Sequence, residues 1–106
     1  MKAMWLSVGI FAVFAVVGAA GTAHAAGDVQ AGKAKSASCA GCHGANGEGK
    51  GAYPALAGRT EHELEEALEG YKSGKKNNAI MHSFASHLSD QDIQNLAAYY
   101  ASLKGK

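Results

Sequence analysis

Two cysteines and a histidine stand close together in the segment Cys39-Ala-Gly-Cys42-His43. Two thiols three positions apart can each form a thioether to one edge of a porphyrin, and the adjacent histidine can supply an imidazole to its iron, so the spacing fits covalent haem attachment. Three other interpretations of the motif stay open. The cysteines could be a thioredoxin-like redox pair or a structural disulfide. They could also be half of a zinc site completed by His82 and His87, although the 39 residues between Cys42 and His82 exceed a zinc finger's spacer of roughly 12–15.

Large apolar side chains are scarce outside the first 25 residues. That segment holds 18 of the 50 apolar residues (Ala, Val, Ile, Leu, Met, Phe, Trp, Tyr and Cys), and 15 of the 32 in residues 26–106 are alanine. A domain of 81 residues with 17 larger apolar side chains buries little surface. Domains this small often need a disulfide, a metal or a similar group for stability. A tethered haem, as a large flat apolar body, would fill the centre of such a fold.

The first 25 residues have the pattern of a secretory signal. Lys2 precedes an apolar stretch over residues 6–20, and the small residues Ala23 and Ala25 stand at the −3 and −1 positions of a cleavage site. The alternative is an uncleaved membrane anchor, but the apolar stretch is shorter than the roughly 20 residues that a spanning helix needs. We therefore predict a cleaved signal peptide over residues 1–25, a mature domain over residues 26–106, and export to the periplasm.

The charge balance and the glycine pattern of the chain argue against nucleic-acid binding and against a phosphate-binding loop. The net charge is +1, and without Lys2 nine basic side chains face nine acidic ones, which argues against a nucleic-acid-binding protein. The glycines of residues 44–51 do not form a phosphate-binding G-x-x-x-x-G-K-[ST] motif. Five glutamates follow one another closely and are most simply a solvated helix face: Glu61, Glu63, Glu65, Glu66 and Glu69.

Helical patterns cover most of residues 26–106, and no strand-like alternation is present. The first predicted helix begins after Asp28 and runs to about residue 37, into the cysteine motif. The second and third begin after Thr60 and Ser89, each of which is followed three residues later by an acidic residue in a capping-box pattern. Two irregular stretches are predicted over residues 44–58 and 75–88. Loops of that length in a small domain suggest that they wrap around a bound group.

From residue 28 to residue 103 the chain resembles a class I c-type cytochrome, nearest to small bacterial types such as cytochromes c4, c5 and c553. The resemblance implies an all-α fold of three to four short helices around one haem c, attached covalently through Cys39 and Cys42. It rests on four ordered segments: Cys39-Ala-Gly-Cys42-His43-Gly44, Tyr53-Pro54-Ala-Leu56-Ala-Gly58, Met81, and Leu88-Ser-Asp-Gln-Asp-Ile93 with Leu96-Ala-Ala-Tyr99-Tyr100.

The same resemblance implies which residues surround the haem. His43 and Met81 would be the two axial ligands of the iron, and Met81 is the only methionine outside the signal segment. A thioether sulfur favours ferrous iron and so raises the reduction potential. The carbonyl of Pro54 would accept a hydrogen bond from His43, which orients the ring. Leu56 would form an apolar wall beside the haem. Arg59 is a candidate partner for a haem propionate on a separate ground, because a buried carboxylate needs a cation or hydrogen-bond donors.

Alternatives remain for several of these positions. Met81 could be core filler, and His82 beside it could be the iron ligand. Asn77 or Asn78 could bond the sulfur of Met81 or a propionate, or could be solvated loop residues. If a small basic cluster rims the haem edge, it could steer an acidic partner; this cluster consists of Lys72, Lys75 and Lys76.

The family packs its first helix against its last, with a small residue crossing an aromatic one. Here Gly32 would meet Tyr99 or Tyr100. Polar residues replace the apolar side chain that the family usually has shortly before the cysteine motif, so we expect a weaker helix contact there; these residues are Lys35, Ser36 and Ser38.

An iron with two strong axial ligands has no open position for a substrate. The sequence therefore predicts an electron carrier and not an enzyme, meeting periplasmic or membrane-bound redox proteins through small, short-lived interfaces. Neither nucleic-acid binding nor membrane insertion after signal cleavage is expected. The segments Gly70-Tyr-Lys-Ser-Gly74 and Ala79-Ile-Met81 also resemble the cytochrome subunit of flavocytochrome c sulfide dehydrogenases. This favours, as the alternative, a permanent electron-accepting subunit of a flavoprotein. A haem sensor is a further alternative, which requires Met81 to be absent from the iron.

Overall fold

The computed structural model describes residues 27–103, and over that range the chain forms five helices and no strand. The helices are α1 (Val29–Lys35), α2 (Ala37–His43), α3 (Glu61–Ser73), α4 (Ala79–Ala85) and α5 (Asp90–Ser102). The predicted all-α fold is confirmed, with five helices where three to four were expected. None of the helices in this range is long and apolar enough to cross a membrane. The predicted signal peptide over residues 1–25 lies outside the described residues.

The first predicted helix ends at Lys35, close to its expected end at about residue 37, and a second short helix begins directly after Ser36. The hydroxyl of Ser36 donates to the carbonyl of Lys33 at 2.7 Å, and the residue serves both as the C-cap of α1 and as the N-cap of α2. Serine competes for backbone groups in this way and is therefore neutral to unfavourable inside helices. The cysteine motif therefore lies on a separate short helix.

The segment that carries Met81 is a helix, whereas the sequence predicts an irregular stretch there. The side chain of Asn78 accepts a hydrogen bond from the backbone N–H of Met81 at 2.9 Å and so caps α4 at its N-terminus. The helix contains seven residues, which is too short for a periodic apolar pattern to be distinguished. The predicted capping boxes at Thr60 and Ser89 are both present, and they fix the starts of α3 and α5.

Helix α5 is the centre of the core, because it packs against α1 on one side and α3 on another. Ile93, Leu96 and Ala97 of α5 are almost completely buried. Leu96 and Ala97 form the core cluster with Tyr99, Tyr100 and Leu64 of α3, and Cys39 and Leu56 pack against it.

The contact between α1 and α5 depends on Gly32. A Cβ atom placed on Gly32 would overlap the carbonyl oxygen of Asn95 and come within 2.8 Å of the Cβ of Tyr99. The predicted crossing of a small residue and an aromatic one is therefore confirmed, with Tyr99 as the aromatic partner. Of the polar residues for which a weaker contact was predicted, Lys35 forms an ion pair with Asp92 of α5 at 3.4 Å.

Backbone hydrogen bonds connect the loop between α2 and α3 to itself and to α5. The amides of Leu56 and Ala57 donate to the carbonyl of Gly47 at 2.8 and 3.0 Å, and the amide of Gly58 donates to the carbonyl of Tyr100 at 3.1 Å. Gly47 has a φ of +69° and lies directly against the Tyr100 ring, where a Cβ would come within 2.7 Å. This path brings residues 53–56 back beside α2.

Candidate haem-binding site

Helix α2 carries both cysteines and the adjacent histidine. Cys42 and His43 follow Cys39 by three and four residues, the spacings that place side chains on the same face of a helix. Both cysteines are partly buried free thiols, and His43 is 7% exposed. Burial raises the pKa of the Cys39 thiol, so this group is protonated near neutral pH. One face of α2 therefore presents two thiols and an imidazole together.

The orientation of the His43 ring is fixed by a hydrogen bond to the loop. Its Nδ1 atom lies 2.8 Å from the carbonyl oxygen of Pro54. Since a carbonyl can only accept, Nδ1 is the donor, and in a neutral imidazole this leaves the lone pair on Nε2. This is the tautomer that a histidine needs when Nε2 binds a metal. The bond is the one that the family resemblance implies for Pro54.

Two tyrosines that the sequence analysis did not assign to the site also contact the motif. The ring of Tyr53 meets the His43 imidazole edge-on, with centroids 5.9 Å apart and an interplanar angle of 73°. The hydroxyl of Tyr100 interacts with the Cys39 thiol and with Ser36, and burial raises the pKa of this hydroxyl. The sequence shows Tyr53 next to Pro54, and Tyr99 and Tyr100 near the end of the last helix. It does not show what these rings contact, because the contacts depend on the path of the loop between α2 and α3.

Met81 lies on the inward face of α4. It is partly buried, and Ala85, one helical turn later on the same face, is completely buried. Ile80 and Phe84, on a different face, are 60% and 47% exposed. Met81 thus lies on the more buried face of a helix separate from the one that carries His43.

His82, the alternative candidate for the second iron ligand, is hydrogen-bonded to α3. Its Nδ1 atom lies 2.8 Å from the carbonyl oxygen of Tyr71 near the end of that helix, and the side chain is on the exposed side of α4. Asn78 uses its side-chain oxygen to cap α4 through the backbone of Met81, not through the methionine sulfur.

The remaining predicted positions lie around this centre with less specific contacts. Leu56 is partly buried against the core cluster. Arg59 is exposed, and its Nε donates to the carbonyl of Ala55 at 3.0 Å. Within the basic cluster, Lys72 forms an ion pair with Asp90 at 3.6 Å, and the Lys76 ammonium lies 5.3 Å from the centre of the Tyr71 ring.

The structure does not assemble the alternative zinc site. Across residues 27–103, no group of three or more histidine, cysteine, aspartate or glutamate side chains is arranged to hold a metal ion. His82 and His87 are therefore not gathered with the two cysteines. A separate shallow groove of about 680 Å³ runs along α3 between Arg59 and Lys76, and the cysteine motif does not line it.

The donor set fits a covalently attached haem. Two thiols on one helix face can form two thioethers, and the neighbouring imidazole is held in the tautomer that leaves Nε2 available. Helix α4 offers a soft thioether on its more buried face, and imidazole with thioether is a known axial pair in electron-transfer haem proteins. The core is otherwise built from few large side chains.

Comparison with known protein families gives a match over nearly the whole described range. The family model for cytochrome c matches residues 29–104. The crystal structure of reduced cytochrome c4 from Pseudomonas stutzeri superimposes with a TM-score of 0.72 at 36% identity, covering 76% of this chain and 48% of that one.

Three curated relatives each match about half of the chain. Cytochrome c-554(548) of Halomonas halodenitrificans is 42% identical, over 47% of this chain and 64% of the relative. Cytochrome c-554(547) of Halothiobacillus neapolitanus is 45% identical, over 54% of this chain and 75% of the relative. The thiosulfate dehydrogenase electron acceptor of Thiomonas intermedia is 43% identical, over 49% of this chain and 24% of the relative. The matched region thus spans between a quarter and three quarters of these proteins.

Proposed function

Since the chain belongs to the cytochrome c family, we propose that it is a one-electron carrier whose single haem c is attached to Cys39 and Cys42. The bound haem supplies an iron centre that gains and loses one electron. The observation that carries the proposal is the arrangement on α2, where both thiols and the imidazole share one face. His43 on that face is held by Pro54 in the required tautomer.

In this proposal His43 is the first axial ligand, through Nε2. The hydrogen bond from Nδ1 to Pro54 restrains the rotation of the ring and increases the basicity of Nε2, as partners of metal-bound histidines generally do. The edge of Tyr53 restrains the same ring from another side. Because these contacts exist in the polypeptide itself, the histidine needs little reorganisation when the iron changes its charge.

Met81 is the second axial ligand in this proposal. Its inward position on α4, in line with the buried Ala85, supports this role. The bond from His82 to Tyr71 supports it too, because it turns the competing imidazole toward α3. Leu56, and more weakly Arg59, are the remaining candidates for contacts with the haem face and a propionate.

Replacement of Met81 by alanine tests the ligand assignment. The variant should keep its covalent haem but lose the far-red charge-transfer band of the ferric protein, show a lower reduction potential, and bind carbon monoxide in the ferrous state at neutral pH. Ile80→Ala is the matched control, since Ile80 is the exposed neighbour of Met81, and it should leave all three properties unchanged. An unchanged spectrum and potential in the Met81 variant would assign the position to another residue, with His82 the first candidate.

We also propose that the protein works in the periplasm. The support is the pattern of residues 1–25, with a positive start, an apolar middle and small residues before a cleavage site. Fractionation of the native cell tests this directly, with the haem-containing chain expected in the periplasmic fraction and beginning at Ala26. Recovery of the full-length chain with the membranes would contradict it.

The partners are proposed to be redox proteins that meet the chain transiently. A second candidate is supported by one relative: the Thiomonas intermedia protein is named as the electron acceptor of a thiosulfate dehydrogenase. By this likeness, the second candidate is a permanent electron-accepting subunit of a dehydrogenase, such as the flavoprotein that the sequence resemblance suggests.

Gel filtration of the native protein distinguishes a free carrier from a permanent subunit. A free carrier elutes as a small protein, and a permanent subunit co-elutes with a flavin- or haem-containing dehydrogenase.

A further inference from the structure

The helix that carries Met81 depends on its surroundings for its position. With seven residues in α4, this helix is far shorter than the roughly 12–15 residues below which isolated helices are marginal. The cap from Asn78 is local, since it joins a side chain to the backbone three residues later. It stabilises the first turn of α4 but does not tie that turn to the rest of the molecule.

His82 makes such a tie. Its Nδ1 atom lies 2.8 Å from the carbonyl oxygen of Tyr71, eleven residues earlier in the chain. Because the carbonyl can only accept, Nδ1 is the donor. The acceptor belongs to the last turn of α3, where carbonyls lack partners within the helix. The same carbonyl also accepts the amide of Gly74 at 3.2 Å, so the chain reversal after α3 and the start of α4 meet at Tyr71.

Other contacts make Tyr71 a firm anchor. Its side chain is partly buried, and the ammonium of Lys76 lies over its ring. The amide of Lys76 donates to the carbonyl of Gly70 at 2.9 Å, which closes the turn between the two helices. His82 lines the small cleft at this junction together with Asn77 and Asn78. His82, which directly follows Met81, is thus hydrogen-bonded to a carbonyl whose position is fixed by several other contacts.

We propose that His82 is a positioning residue for Met81: its hydrogen bond to Tyr71 holds α4 so that the methionine sulfur stays on the iron and small external ligands are kept off. The inference rests on the proposed role of Met81 as axial ligand. Loss of the bond lets the first turn of α4 move away from α3, which raises the fraction of molecules in which the sixth position is open.

The test compares variants of His82 in the haem-loaded chain. His82→Phe keeps a flat ring without a donor, and His82→Asn keeps an N–H close to the place of Nδ1. His87→Phe is the matched control, because His87 is an exposed histidine soon after α4. Each ferric protein is titrated with imidazole at neutral pH, and the far-red charge-transfer band is recorded.

We expect His82→Phe to bind imidazole about three- to tenfold more tightly than the wild type, the factor that corresponds to the loss of one hydrogen bond of this kind. His82→Asn should return the affinity to near the wild-type value, and His87→Phe should not change it. A return to the wild-type affinity in His82→Asn would show that the hydrogen bond to Tyr71 positions α4. A general loss of packing would affect both variants. If His82→Phe does not yield haem-loaded protein, His82→Gln replaces it, since its amide nitrogen lies nearer the place of Nε2.

Three results would overturn the inference, and they are distinguishable. If Met81→Ala changes the spectrum but His82→Phe binds imidazole as the wild type does, Met81 is the ligand and His82 does not position it. If Met81→Ala leaves both spectrum and imidazole affinity unchanged, the proposed ligand set itself is wrong and the role of His82 falls with it. Equal gains in affinity for His82→Phe and His82→Asn would also contradict a role for the hydrogen bond.

Discussion

The Nδ1 atom of His43 donates a hydrogen bond to the carbonyl oxygen of Pro54 across 2.8 Å and eleven residues of sequence. The loop that supplies this carbonyl is itself fixed, because the amides of Leu56 and Ala57 bond to the carbonyl of Gly47. The proline adds its own restraint, since its ring limits the backbone to one φ value. Contacts within the polypeptide alone thus orient the histidine ring.

Pro54→Ala should raise the reduction potential of the haem-loaded protein. The carbonyl remains, but the backbone that holds it becomes freer, so the hydrogen bond weakens on average and Nε2 becomes a poorer donor to ferric iron. Potentiometric titration measures the change, with Ala52→Gly as the control for loop flexibility outside this bond. An equal change in both variants would show that general loosening of the loop, and not the bond to His43, sets the potential.

Gly32→Ala should destabilise the protein strongly. The added methyl group would overlap the carbonyl of Asn95, which is backbone and cannot move away easily. Overpacking of this type costs about 1–3 kcal/mol. Denaturant unfolding of the haem-loaded chain measures the difference in free energy.

Gly41→Ala is the matched control for Gly32→Ala. Gly41 is also helical and exposed, and a Cβ placed there meets nothing within 4 Å. This substitution should be neutral or stabilise by up to about 1 kcal/mol through helix propensity alone. Equal stability of the two alanine variants would contradict a close crossing of α1 and α5.

Asn78→Ala should weaken α4 and with it the attachment of Met81. Loss of an N-cap side chain costs about 0.5–2 kcal/mol, and in so short a helix that cost falls on the first turn. The far-red band of the ferric protein should therefore disappear at a lower temperature than in the wild type. Asn78→Asp keeps the acceptor and should behave as the wild type, whereas no difference between the two variants would argue against a cap at this position.

Asp92 should make a pH-dependent contribution to stability. Its carboxylate accepts the backbone N–H of Ser89 at 2.9 Å, and this bond, followed by smaller effects that include Lys35, holds its pKa below the ordinary value of 3.8. A carboxyl whose pKa is lower in the folded state stabilises the fold above its unfolded pKa and loses that contribution as the pH falls through the folded value.

The comparison of the wild type with Asp92→Asn measures this contribution. The difference in unfolding free energy should be constant above about pH 5 and should shrink in more acidic solution. Lys35→Met separates the ion pair from the cap, and it should retain most of the effect because the Ser89 bond is the largest cause. A difference that does not change between neutral and acidic pH would contradict the assignment.

Several parts of the structure could be predicted from the sequence because short, local signals determine them. The capping boxes at Thr60 and Ser89 fix two helix starts, and the spacing of Cys39, Cys42 and His43 indicates the chemistry of the site. The crossing at Gly32 and the bond from His43 to Pro54 came from the family resemblance, which encodes contacts between distant segments.

Other features could not be predicted because they depend on tertiary contacts or on elements too short to show a pattern. Helix α4 has seven residues, and its cap is a single asparagine in a polar stretch that also fits a loop. The break at Ser36 depends on a hydroxyl bonding to its own helix. The bond from His82 to Tyr71 exists only once α4 folds back on α3.

The intact mass of the purified native chain, measured after denaturation, shows whether a haem is covalently attached. We expect the mass of residues 26–106 plus one haem, because two thioethers survive unfolding. Replacement of both Cys39 and Cys42 by alanine should remove the added mass and most of the folded protein, since the apolar core is small. A native chain that has the mass of the polypeptide alone, when exported by a host able to attach haem, would rule out covalent haem attachment. The two cysteines would then be a disulfide or a redox pair.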